Sequence, residues 1–560
     1  MKIMKKTRHA IGLALCIIIC IMLAAGCGNG GGSSNTTTSQ SPGSSQSAGN
    51  ASTTPGSSSS SSPTTSVAPD RVAAPEPPPP EAEYYDHFTF ATAQFQTLDL
   101  FNPAVGNAAL AYYVQNVHDY FIKKTPEGKF EPELATEWST EDGKTIYFKF
   151  RDDVYFHNGE KFTTADIVWT IEKGLESPGS GMYSRWSELE SWEVINDYEM
   201  TFTFKNPNVD YEYWYSVQTA AILNRKAYEA DSEKGSWVGT GPWIVTDFMS
   251  NSYIKFERNE NYWDPELIPI TKTMTFQTVT ENLAGLIMME SDDADLFTLA
   301  STDIPTYRDD PRFTIWSYNM DNLNCIYFNF MNPIIADINF RMAVAHCYSR
   351  EDALAIAIGG YGIVAEGQNI WGKNTEFRNP NIPRIPVDLD LAKEYLDKSI
   401  YKGETIRAIA AMAHPIANAQ VLQENLKQIG VTLEIYETDP PTMTSMTGWG
   451  VGDADIILNS SVWGSAASCK SYFYPELRGN ACNYTNDRVT ELIDLGSSIL
   501  DKAERQKIYY ELQEIIAEEV PMLPLYHMSL YFMGQKGVGG ILFYSDNQHD
   551  LSQAYRIKNP

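Results

Sequence analysis

The chain has 560 residues, a net charge of −29 at pH 7, 43 % hydrophobic and 12 % aromatic residues, and seven cysteines. The acidic balance disfavours nucleic acid and anionic membrane surfaces as partners. The length exceeds what one compact core organises, so at least two lobes are expected, with aromatic side chains to spare for a surface.

Lys2, Lys5, Lys6 and Arg8 precede an apolar run over residues 10–25 that ends in Gly26-Cys27. A basic stub, a short apolar core and small residues before a cut form an export signal. The run falls below the ~20 residues that span a bilayer comfortably, and no basic stop-transfer cluster follows it. Leu23-Ala24-Ala25-Gly26-Cys27 resembles the bacterial lipobox, with Ala24 where an aliphatic residue is usual. That resemblance implies lipidation of Cys27 and a chain held on the outer face of the cytoplasmic membrane, in the periplasm if the cell has an outer membrane. Residues 28–69 carry no charge and are dominated by Gly, Ser, Thr, Asn and Gln, and residues 77–80 are a proline run. Residues 28–82 therefore read as a disordered tether with a reach of about 40 Å.

Thr145-Ile-Tyr-Phe-Lys-Phe-Arg151 alternates strictly and predicts a strand with Ile146, Phe148 and Phe150 on one side. A hairpin is expected from Trp192 through Asn196-Asp197 to Phe204. Thr163-Thr164-Ala165-Asp166 is a capping box for a helix bearing Ile167, Val168 and Ile171, with Gly174 as its stop. Ser349-Arg-Glu-Asp352 caps a helix that closes at Gly359-Gly360. Residues 415–429 and 503–519 read as helices, the first followed by the strand Val431-Thr-Leu-Glu-Ile435. Strands and helices mix without a fixed repeat, which places the fold in the α/β or α+β class. Outside the cell, Cys469 and Cys482 enclose a short polar loop and are expected to form a disulfide, while Cys325 and Cys347 read as buried thiols.

Gly367-Gln-Asn-Ile-Trp-Gly372-Lys373-Asn374 is one residue short of a phosphate-binding loop and lacks its Ser or Thr. No nucleophile elbow or H-E-x-x-H helix occurs. His157 reads as a structural hydrogen-bonder. His346 and Cys347 are adjacent on a helix and point apart, and His414 and His527 are scattered. Neither a cofactor nor a dedicated metal site is expected.

Several stretches together are similar to one family, the extracytoplasmic solute-binding proteins of family 5, which serve oligopeptide, dipeptide and nickel ABC importers. Pro132-Glu-Leu-Ala135 with Trp138 and Asp142-Gly143-Lys144 resembles its "P-x-L-A-x-x-W … D-G-K". Phe148-Lys149-Phe150-Arg151-Asp152-Asp153-Val154-Tyr155-Phe156-His157-Asn158-Gly159 resembles "F-x-L-R-x-G-V-x-F-H-D-G", and Thr164-Ala165-Asp166-Ile167-Val168 continues it. Gly239-Thr240-Gly241-Pro242-Trp243, Arg258-Asn259 with Tyr262-Trp263, and Asp337-Ile338-Asn339-Phe340-Arg341-Met342-Ala343 with Arg350 follow in order. The resemblance implies an α/β, two-lobed periplasmic-binding-protein-like fold (type II, cluster C) with a subdomain inserted in lobe one. Lobe one would be 83–320 with the insertion at about 127–238, lobe two 321–518, and 519–560 the return to lobe one. Residues 316–321 and Val520-Pro521 would be the hinge crossings.

The same resemblance implies capture without catalysis: solute binds between open lobes, and the closed form docks on a membrane permease. Carried over, Val105, Gly106 and Asn107 would offer a backbone contact, though Gly-Asn is also ordinary turn chemistry. Tyr183 and Trp186 would face the cleft, or simply pack in a core. Trp463 would stand in the lobe-two wall, with Trp449 and Tyr526 as further candidates. Many peptide-binding members place an aspartate three residues after that tryptophan to grip the ligand's α-ammonium; here that position is Ala466. Asp453 and Asp455 lie close in sequence. The leading reading is a lipid-anchored, monomeric binding protein for peptides or a peptide-like solute, partnered by an ABC permease. An oligosaccharide binder, a peptide sensor and a secreted hydrolase are the alternatives.

Overall fold

The computed structural model describes residues 79, 81–92, 97–102, 113–125, 128–372, 375–463, 465–544 and 549–560. The export signal, Cys27, nearly all of the tether and Val105, Gly106 and Asn107 lie outside the described residues.

An 11-stranded sheet runs through the protein. Its order is Leu433–Thr438, Ile406–Ala411, Ile456–Val462, Phe313–Phe328, Met522–Gln535, Leu296–Leu299, His87–Thr92, Thr273–Thr278, Tyr253–Arg258, Trp243–Met249, with Gly362–Val364 paired alongside Met522–Gln535. In the second half of the chain, alternation along the strands feeds two cores. Ile326, Phe328, Ala408, Ala410 and Leu458 belong to one, and Leu323, Cys325, Tyr327, Ile409 and Ile457 to the other. A parallel sheet covered on both faces needs apolar residues at both phases of the pleat, which these strands supply. In the first half, Phe88, Phe90, Met274, Phe276 and Leu296 build a separate core. Among the described strands, only Phe313–Phe328 and Met522–Gln535 contribute to both sides: Tyr318 and Phe532 pack in the first core, Leu323, Met522 and Tyr526 in the second pair.

The expected strand and hairpin form a separate four-stranded sheet, Ala135–Thr140, Thr145–Phe150, Glu199–Phe204 and Leu189–Asn196 in that spatial order. Ile146, Phe148 and Phe150 are buried as the alternation requires. They meet Phe121, Trp186, Phe202 and Tyr215 in an aromatic cluster, in which Phe121 stacks on Tyr215 at 4.9 Å.

Both limbs of the Thr163/Asp166 capping box are made, and the helix runs Thr164–Leu175. Gly174 is the next-to-last residue of that helix rather than its stop, and the position has no room for a side chain, since a Cβ there would sit 2.6 Å from the Trp186 ring. Ser349 caps Arg350–Ile358, which ends on left-handed Gly359. The other two predicted helices are Ala413–Lys427 and Lys502–Glu519, and the strand after the first is Leu433–Thr438, two residues later than its apolar pattern indicated. The expected disulfide is absent: Cys469 and Cys482 are both free and buried. The Cys482 thiol instead donates to the Pro521 carbonyl at 3.2 Å. Among the described residues no helix is long and apolar enough to cross a membrane.

The stretches that carry the family resemblance knit the first half together. His157 accepts the Gly239 N–H at Nδ1 and donates from Nε2 to the Gly241 carbonyl at 2.9 Å, which defines its tautomer. Gly239 must lack a side chain, since a Cβ there would fall 1.9 Å from the Val117 carbonyl oxygen. Asn259 donates to the same Gly241 carbonyl, while Tyr262 and Trp263 donate to the two oxygens of buried Asp119, each at 2.8 Å. Nearby His118 donates to the Ser236 carbonyl.

Burial pushes both His118 and His157 down to about 4 from the ordinary 6.5. The unfolded chain therefore takes up protons between pH 6.5 and 4 that the folded chain refuses. Stability is full above about pH 6.5 and is expected to fall by about 1.4 kcal/mol per pH unit for each histidine as pH drops toward 4. Urea denaturation across this range checks it, and His157→Gln is expected to remove one proton's share of the slope.

Candidate functional site

Ligands of α/β sheets gather at the carboxyl ends of parallel strands. In the second half, Ile406–Ala411 runs parallel to both Leu433–Thr438 and Ile456–Val462. At two of these carboxyl ends, apolar Met412 and Val462 are 50 % and 51 % exposed. Val462 stands opposite Asn322 of the long strand Phe313–Phe328, and Ser460 opposite Asn324. Directly opposed residues share a face, so these four side chains lie together.

The pairing of the two long strands breaks here. Asn319 pairs with Ser529 and Leu323 with His527, leaving three residues of one strand against one of the other. Asn324 is 1 % exposed, and its Nδ2 has no hydrogen-bond partner. Its Oδ1 accepts from Ser460 at 3.4 Å. Asn322 Oδ1 and Ser317 Oγ, on the same strand, are likewise buried and unmet. Orphaned buried amide and hydroxyl groups are costly, and a polar partner that reached them would relieve that cost. Beside an exposed apolar pair, they match a solute that carries both N–H and C=O groups.

The residues expected at the site scatter. Trp463 is fully buried, stacked on Trp371 at 4.6 Å, beside Tyr472, with Nε1 donating to Ser461. Tyr526 is fully buried and donates to Asn418. Trp186 is fully buried in the aromatic cluster against Gly174, so it presents no face for stacking. Tyr183 and Trp449 are half-buried, on the short helix Gly181–Trp186 and on the turn between Gly448 and Gly450. Asp455 is committed within the protein: it accepts the Asn332 amide and the Arg407 N–H, each at 2.8 Å. Asp453 is exposed. His346 turns to the Pro386 carbonyl and Cys347 to that of Asn425. Among the described residues, no group of three or more His, Cys, Asp or Glu side chains is placed to hold a metal ion. Asn322 and Asn324 escaped the sequence reading, although the polar run Asn319-Met-Asp-Asn-Leu-Asn324 inside an apolar strand was a signal for them.

The family model for bacterial extracellular solute-binding proteins, family 5, matches residues 129–483. The chain belongs to this family. It is a binding protein of the ABC-transporter type and not an enzyme. The oligopeptide-binding protein AppA of Bacillus subtilis is 24 % identical over 467 residues, 76 % of this chain and 84 % of that one. The nickel-binding periplasmic protein of Escherichia coli is 22 % identical over 473 residues, 76 % of this chain and 86 % of that one. The crystal structure of the ABC transporter substrate binding protein CtaP from Listeria monocytogenes superposes with a TM-score of 0.75 at 21 % identity, covering 85 % of this chain and 100 % of that one. These likenesses support the two-lobed α/β fold.

Within this family 5 protein, Trp463 holds the second lobe's own core. Trp463→Ala is expected to cost about 3–5 kcal/mol of unfolding free energy, measured by urea denaturation, because its neighbours Trp371 and Tyr472 cannot collapse into the space.

Proposed function

We propose that the protein is a lipid-anchored, monomeric solute-binding component of an ABC importer that captures peptides or peptide-like solutes between its two lobes. Lobe one comprises residues 83–320 with 519–560, and lobe two residues 321–518. The observation that carries this reading is the pair of unmet amide groups on Asn322 and Asn324, beside the break between the two strands that join the lobes. A peptide backbone supplies alternating donors and acceptors of the kind these groups lack. The relatives named as binding oligopeptides, and the AppA structure solved with a nonapeptide at TM-score 0.69, support the class of solute. Nickel has less support, given the dispersal of the histidines. An oligosaccharide would call for exposed stacking surfaces; Trp186, Trp243, Trp371 and Trp463 are spent in cores, which leaves exposed Tyr436 and half-buried Tyr183 and Trp449 for that alternative. Lipidation at Cys27 and delivery to a permease complete the reading.

Native mass spectrometry of the full chain extracted from membranes tests anchor and cargo together. The expected result is an intact mass beginning at lipidated Cys27, with a ladder of bound masses that fragment as peptides. A single discrete non-peptide adduct would refute peptide capture, and an unmodified Cys27 would refute the anchor. Asn324→Ala is expected to weaken peptide affinity about three- to tenfold in calorimetry, the worth of one hydrogen bond, with the unfolding midpoint essentially unchanged.

A further inference from the structure

Away from the two connecting strands, a buried ion pair joins the lobes. Asp210 precedes the short helix Tyr211–Trp214 beside the four-stranded sheet, next to Tyr211, which packs against the first core, and buried Val209. Arg505 lies on Lys502–Glu519, whose Tyr509, Leu512 and Ile516 belong to a core of the second lobe. Arg505 Nη1 is 3.2 Å from Asp210 Oδ1, with side-chain exposures of 5 % and 11 %. The guanidinium rests over the Phe377 ring at 5.1 Å. The other Asp210 oxygen, Oδ2, completes no hydrogen bond, and neither does Arg505 Nε. The Ser465 side chain and the Ala467 amide, either side of Ala466, both lie close enough to favour the charged carboxylate. One backbone bond follows the same seam, from the Val209 N–H to the Ser497 carbonyl at 3.3 Å.

We propose that Asp210 and Arg505 form an electrostatic latch that is assembled by lobe closure and makes the closed state tolerable only in full register. This rests on the reading of the protein as a closing two-lobed binder. Each partner is anchored in a different lobe, so separation of the lobes must part them and return both charges to water. In the closed state neither charge is tolerable alone. A buried carboxylate without its cation, or the reverse, is strongly unfavourable, whereas a neutral pair of similar volume is nearly as good as the ion pair. The latch therefore adds geometric specificity: closure must be complete enough to bring Nη1 and Oδ1 into contact before the desolvation of either group is compensated. It also makes retention of solute a property of the protein as well as of the ligand, since apparent affinity scales with the fraction of closed molecules. Burial pushes the Asp210 carboxyl up, and the Arg505 charge opposes that rise only in part.

The test is a double-mutant cycle on the full chain in detergent, using Asp210→Asn, Arg505→Met and the two combined. Closure is read by electron–electron resonance between spin labels at Glu193→Cys and Glu491→Cys, with and without a pool of tri- to nonapeptides. Each single variant is expected to lose the closed distance more than tenfold relative to wild type, and the double variant to recover it to within about threefold. Single variants that close like wild type, losses that merely add in the double variant, or a wild type with no closed population under either condition would each overturn the latch. Distances that respond to the substitutions but not to the peptide pool would count against peptide capture while upholding the latch.

Discussion

Two antiparallel strands, Phe313–Phe328 and Met522–Gln535, are shared by both lobes, and the rest of the architecture hangs on their pairing. Each side chain along them is committed by the pleat to one face or the other. Below the break they serve the first core through Tyr318 and Phe532, and above it the paired cores of the second lobe through Leu323, Ile326 and Met522. Between these stretches the ladder cannot satisfy every group. The residues placed there are polar: Asn319, Asp321, Asn322 and Asn324. A joint between two apolar cores is thus a polar stretch, the one proposed above to meet the solute.

The residues by which the family is recognised are largely occupied with holding the protein to itself. Arg341 reaches the carbonyls of Ile335 and Glu519, clamping Ile338–Cys347 against the end of Lys502–Glu519. Arg350, 2 % exposed, ties the Ala365 and Gly367 carbonyls and the Gln368 side chain. Asp337 caps the helix after it and also accepts the Ile400 N–H. His157, Gly239, Gly241, Asn259, Tyr262 and Trp263 close a single knot around Asp119 and the backbone of Val117. Such groups tolerate little change whatever the solute, because each satisfies a buried polar partner at fixed distance.

Charge follows the same economy. The buried carboxylates Asp119, Asp295 and Asp455 each accept donors from within the chain, so none stands free to receive a cationic ligand group. Asp210 meets Arg505 across the lobes. Most of the protein's other acidic side chains, among the described residues, lie on its surface.

Much of the fold was legible in the sequence. The alternation of Ile146, Phe148 and Phe150, the capping boxes at Thr163 and Ser349, the helix stopped before Pro521 and the ordered motifs of the family all depend on neighbours within a few residues, where periodicity and backbone stereochemistry act directly. The disulfide failed because it turned on a distant partner, Pro521 for the Cys482 thiol, and Gly174 proved to serve a distant partner too, the Trp186 ring, one residue before its helix ends. The surroundings of the aromatic site candidates turn on distant partners in the same way. Nothing local to Trp463, Trp186 or Tyr526 distinguishes a ring facing solute from one facing Trp371, Gly174 or Asn418. The sequence by itself determined the family, the class of fold and the placement of most helices and strands, since these follow from short-range pattern. Only the tertiary structure decided which polar groups were left without partners and which charges met across the lobes, because satisfaction of a buried group depends on residues hundreds of positions away.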